Sequence, residues 1–249
     1  MVATFCLRLA AGLLLMLPIL PAAQIPPRFY RVHFLTALGL LTVAAMFFLE
    51  SADALFWVLF GAAALGCVIG SILWHLHEAP GGKAIALAAP IAVTSCLIYA
   101  GMLQRGDADS MLRIADDLAS ALVVGSATTA MLMGHSYLIA PAMTMAPLIR
   151  LLGAGAASVF LRIGIAAFGL WQWTSSNSAS NLDNEFILWL SVRWALGLIA
   201  PLILGWMAWE TARIRSTQSA TGILYVVVIV CFLGELMSML LVEKTRLTL

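Results

Sequence analysis

The chain has 249 residues, 63% of them hydrophobic and 10% charged, with a formal net charge of +1. That is more apolar surface than a soluble core of this size buries, and it falls in runs near twenty residues, so the composition is that of an all-α bundle crossing a bilayer several times. It excludes a sizeable soluble domain, because the longest polar stretches are about a dozen residues, and it excludes nucleic acid as a partner, because no basic patch or tail is present to neutralise phosphates.

Apolar runs bounded by charges, proline and glycine define about eight spans. They are helices, because a backbone surrounded by lipid must satisfy its own hydrogen bonds. In chain order they run roughly 3–22, 33–50, 54–75, 84–104, 116–139, 148–173, 186–209 and 219–242, a single membrane domain over 1–249. The first, "MVATFCLRLAAGLLLMLPILPAAQ", has the single arginine, apolar centre and small terminal residues of a secretory signal; we read it as a first membrane helix. "QIPPRFYR" separates it from span two, since two prolines and two arginines do not continue a span. "HLHEAPGGK" follows span three. "RGDADSMLRIADD" follows span four and has room for a short interfacial turn. "IAPAMTMAP", "TSSNSASNLDNE" and "TARIRSTQSA" divide the remaining spans. All tryptophans except Trp194 lie near predicted ends, as an aromatic belt does. Cys6, Cys67, Cys96 and Cys231 all fall inside apolar runs and read as buried small hydrophobes.

Alternating spans give two faces. Face A, reached at the end of span one, carries all four histidines, His33, His75, His77 and His135, with Tyr137, Arg150, Arg213 and Arg215. Face B carries both termini and the acidic residues Asp107, Asp109, Asp116 and Asp117, which read as a solvated or docking surface. The basic residues of the short loops do not fix which face is cytoplasmic.

Three constellations carry chemistry. The first is the histidine set. Neutral imidazole is the usual axial ligand of b-type haem and a good ligand for zinc or copper. His135 with His33 or His75 would make a bis-histidine pair, and His75, His77 and His135, with Glu78, are a metal alternative. Otherwise the histidines are interfacial caps. The second is "TARIRSTQSATGILY", where Arg215 and Gln218 open the last span. Arginine beside a helix N-terminus favours an anion or a carbonyl oxygen, hence a quinone head group or a lipid phosphate. Otherwise the stretch is a capped helix with arginines among the headgroups. Tyr137, Tyr30 and Tyr225 are further hydrogen-bonding groups there. The third is charge inside the bilayer. Arg162, Arg193 and Glu235 lie within spans six to eight, and charges there pair or line a cavity. Arg193 with Glu235 is the expected ion pair, with Arg162 sharing the carboxylate, while Arg8 is expected to snorkel to the surface. Such a pair serves a proton path, a substrate counter-charge, or the docking of helices.

No P-loop, GxGxxG, HExxH, GxSxG or CxxCH occurs. The function expected from these features is a membrane subunit of an electron-transfer complex, with a quinone or b-haem site near face A and other subunits as partners, in a bacterial-type inner or other energy-transducing membrane. The alternatives are a small-molecule or ion transporter using Arg193 and Glu235, a membrane metalloenzyme, and a scaffold subunit.

Overall fold

The computed structural model describes residues 1–49, 52–76, 81–105, 110–140, 143–176 and 184–245. Among these, the chain is an all-α polytopic bundle, and eight helical spans are long and apolar enough to cross a membrane. The helices are α1 (Val2–Met16), α2 (Pro27–Met46), α3 (Ala54–Leu73), α4 (Gly82–Arg105), α5 (Ser110–Ile139), α6 (Ala146–Ser176), α7 (Asn184–Trp194), α8 (Ala200–Arg213) and α9 (Thr217–Thr245). A π turn, Ala195–Ile199, joins α7 to α8 within one span.

Two of the boundaries that differ from the sequence expectation bear on the buried charges and the rim. α2 begins at Pro27, six residues before the predicted 33, because proline suits the first helical position: the N–H it lacks has no partner there in any case. The arginines of "PPRFYR" therefore sit in the first two turns of a helix. α5 begins at Ser110 rather than near 116, so Asp116 and Asp117 are helical. Both are buried, which overturns their reading as a solvated face.

α1 is the hub. It packs on α2, α4 and α5, and 72% of its span is buried, against 28% for α3. The reason is on its surface: alanine, glycine and leucine on all sides let neighbours approach all round. α5 packs on α1, α4, α6 and α9, while α8 and α9 pair closely. The outer helices turn large apolar side chains outward, including Phe160, Trp171, Leu188 and Trp206, as a lipid-facing surface requires. At face B, the Asp53 carboxylate caps α3 by accepting the Phe56 N–H at 2.9 Å, and the Tyr99 hydroxyl donates to its other oxygen. The Tyr99 bond, then the Phe56 bond, holds that carboxyl below the ordinary aspartate range.

Candidate functional site

In the face-B half of the bundle, charged side chains from five helices converge. Arg8 of α1 donates from Nε to Asp117 Oδ1 at 2.9 Å, from Nη2 to Asp116 Oδ2 at 3.2 Å, and from Nη1 to Glu235 of α9. Arg162 of α6 donates from Nη1 to the Asp116 carboxylate, and from Nη2 to Ser238 Oγ at 2.8 Å, with Glu235 Oε2 at 3.9 Å. Arg193, in the last turn of α7, lies in electrostatic range of Glu235, Arg8 and Arg162. All six charged residues are at most 2% exposed. Three guanidiniums against three carboxylates leave the cluster formally neutral. That is the condition for keeping it out of water, since desolvating each ion costs several kcal/mol and only close, hydrogen-bonded partners offset it. Asp116 and Asp117 are neighbours on α5, about 100° apart around the helix. The pair thereby reaches both α1 and α6.

Two glycine contacts set these distances. A Cβ on Gly12 would collide with the Ala121 carbonyl and the Gly125 Cα, so α1 and α5 cross backbone to backbone. Gly12 is one turn from Arg8, and Ala121 and Gly125 are one and two turns from Asp117, so the close crossing and the ion pair share one face. A Cβ on Gly197 would stand 2.6 Å from Gly234 Cα and 3.0 Å from Arg193 Nη1. Gly234 precedes Glu235, and this second crossing brings Arg193 to the cluster.

The expected Arg193–Glu235 ion pair is not the one that forms. The ion pairs of Glu235 run to Arg8 and Arg162. Nor does Arg8 snorkel; it is the centre of the network. Arg193 is left with Nε and Nη2 lacking any hydrogen-bond partner among the described residues, and Arg162 Nε is likewise unpartnered. The π turn starts two residues beyond Arg193 and ends two residues before Pro201. Proline offers no N–H to the preceding turn, and the wider turn re-spaces the helix at that point.

The face-A residues do not converge. His33 is fully buried; its Nδ1–H donates to the Phe29 carbonyl at 2.8 Å, and in the neutral ring Nε2 is a lone pair without a partner. His75 is exposed and accepts from Arg31 Nη1 at 3.0 Å. His135 is exposed on α5, whereas His33 is fully buried on α2 against Phe29, so the two do not share a buried site. His77 and Glu78 lie outside the described residues, as do Asp107 and Asp109. Among the described residues no three His, Cys, Asp or Glu side chains gather to hold a metal ion. The Tyr137 hydroxyl donates to the Thr144 carbonyl at 2.6 Å and that of Tyr30 to the Leu20 carbonyl at 3.1 Å, so both fix loops. Arg215 and Gln218 are exposed. Arg215 has φ 59° in the turn that ends α8; its N–H bonds the Ala212 carbonyl and the Ser216 N–H bonds the Thr211 carbonyl, both at 3.0 Å. This is a Schellman cap with arginine at the place glycine normally takes, a conformation that costs an L residue roughly 1 kcal/mol.

Beside the network, an apolar cleft of about 360 Å³ runs between α5, α6, α8 and α9, from Trp209 and Glu210 at face A down to Val123, Val159 and Cys231. Cys231 is one turn from Glu235.

Sequence reasoning placed Arg162, Arg193 and Glu235 inside the bilayer but missed Arg8, Asp116 and Asp117 as their partners. Continuing the α5 pattern back to Ser110 would have put both aspartates on the buried face. Comparison of the chain with known protein families, with characterised proteins and with solved structures finds no match.

Proposed function

We propose that the protein is a membrane transporter of a small anionic solute, with Arg193 as the receiving group and the Arg8–Asp116–Asp117–Arg162–Glu235 network as the frame that holds it. The observation that carries this reading is the state of Arg193: two of its nitrogens lack partners in a site 2% exposed, while the neighbouring carboxylates bond other arginines. An anion accepting from those two nitrogens would give a buried guanidinium the hydrogen bonds it lacks. Arg193 lies about 14 Å along the helix from Asn184, on the face-B side of the centre of a 30-residue span. The π turn and Pro201 interrupt the span just beyond it, at the centre, and interrupted helices near the midplane are where transporters hold substrate.

The test is uptake of chloride, phosphate, sulfate and succinate into proteoliposomes. At least one is expected to enter, with Arg193→Gln abolishing flux in a correctly assembled chain and Arg193→Lys retaining part of it. Uptake of none, or full flux through Arg193→Gln, overturns the proposal.

One observation favours a second reading, the electron-transfer subunit with a b-haem or quinone near face A, working with other subunits in an energy-transducing membrane of the bacterial inner-membrane kind. His33 has its Nδ1–H tied to a backbone carbonyl and its Nε2 lone pair free, the state in which a histidine ligates a metal.

A further inference from the structure

The apolar cleft between α5, α6, α8 and α9 has dimensions and a mouth of its own. Its wall runs from Leu151 to Phe160 on α6 and from Pro201 to Glu210 on α8. Each stretch rises about 14 Å along its helix, close to one leaflet, which is half of a ~30 Å hydrocarbon core. Its volume of about 360 Å³ lies in the range of ligand pockets. Phe160 and Trp206, 63% and 66% exposed, flank an opening that faces sideways to the bilayer. The face-A end holds Trp209 and Glu210, with Arg213 Nη1 3.5 Å from the Glu210 carboxylate. Arg215 follows at the α8 cap, and Arg150 precedes the lining residue Leu151; both are exposed. Glu210 is the one charged residue in the lining; Arg213 bonds it, and Arg150 and Arg215 lie at the face-A ends of α6 and α8, so arginines outnumber that carboxylate three to one around the face-A end. Arg215 keeps a guanidinium there in a left-handed backbone conformation that glycine would adopt without strain.

We propose that the cleft holds one acyl chain of an anionic phospholipid from the face-A leaflet, with the headgroup phosphate on Arg213 and Arg215. The tail lies along the Ala127–Ala130 and Gly155–Val159 walls and ends at Cys231, at the depth where a leaflet ends. The phosphate supplies the negative charge that the mouth lacks, and Trp209 sits at headgroup level, as interfacial tryptophans do. The inner end of this site at Cys231 adjoins Arg193, but the headgroup end is at the other face, and lipid binding is read without any transport assay.

The experiment is binding to the purified full chain in mild detergent by native mass spectrometry, with phosphatidylglycerol and phosphatidylcholine of identical acyl chains as probes. Two arginines at a headgroup predict a preference for phosphatidylglycerol of about tenfold or more. Arg213→Gln combined with Arg215→Gly should bring that preference to within about twofold while leaving lipid-free thermal stability equal or higher, since the strained cap is relieved. Gly205 lines the cleft and has open space where a Cβ would go, so Gly205→Leu fills the tail site without touching backbone. It should cut retention of both lipids. The proposal is overturned by equal binding of the two lipids, by a preference that survives the arginine replacements, by retention unaffected in Gly205→Leu, or by displacement of phosphatidylglycerol with a neutral isoprenoid quinone.

Discussion

The face-B half and the face-A rim hold polar residues in similar number, and the structure treats them in opposite ways. At depth, Arg8, Asp116, Asp117, Arg162 and Glu235 find one another across helices far apart in sequence, because lipid offers no other partner. At the rim, His75, His135, Arg215 and Gln218 are exposed, and Tyr30 and Tyr137 spend their hydroxyls on nearby carbonyls. Lying on one face therefore says little about lying together. Convergence follows the dielectric: where water competes, polar groups have no need to meet.

The contrast can be broken most directly by removing one charge at depth. Arg8→Met removes the arginine that Asp117 and Glu235 share and should cost about 3–5 kcal/mol in unfolding from mixed micelles. The double replacement Arg8→Met with Glu235→Met should cost less than the sum of the singles. Ala at His75 should change stability by less than about 0.5 kcal/mol. Similar losses at depth and rim would mean that the network is hydrated in the membrane.

A smaller effect separates packing from charge. Gly12→Ala forces α1 away from α5 and should destabilise by about 1–3 kcal/mol, whereas Gly39→Ala, with nothing within 4 Å of its new Cβ, should be neutral or stabilising by up to about 1 kcal/mol. Equal outcomes at the two glycines would remove the close crossing as the device that sets the Arg8–Asp117 distance.

The smallest expected structural effect bears on the electron-transfer reading. If a b-type haem is present, a reduced-minus-oxidised spectrum shows its band, His33→Leu removes it, and His135→Ala leaves it in place, because among the described histidines only His33 offers a buried lone pair. Loss of the band with His135→Ala alone would reverse the assignment at the rim.

The spans themselves were legible because hydrophobic length is a one-dimensional property: eight apolar runs became eight membrane-crossing helical segments. Buried charge was legible too, since Arg162, Arg193 and Glu235 sit inside such runs. Their pairing was not. Matching depth on sequential helices pointed to Arg193 with Glu235, but depth does not give lateral position, and α1 stands between helices that the sequence lists far from it. Asp116 and Asp117 were hidden by company: a stretch with charges at 105, 107, 109 and 113 resembles a loop, yet starting the helix at Ser110 turns both carboxylates inward.

The central place of α1 also bears on how the chain is made. Arg8 leaves the ribosome 227 residues before Glu235. At the usual 5–20 residues per second, that is about 10–45 s during which a guanidinium destined for the bilayer interior has only part of its counter-charge. α1 is made before α5 and α9, so Arg8 gains Asp116 and Asp117 first and Glu235 only when α9 follows. The six-charge cluster is thus assembled in stages, and its last ion pairs close only once α9 has joined the helices made before it.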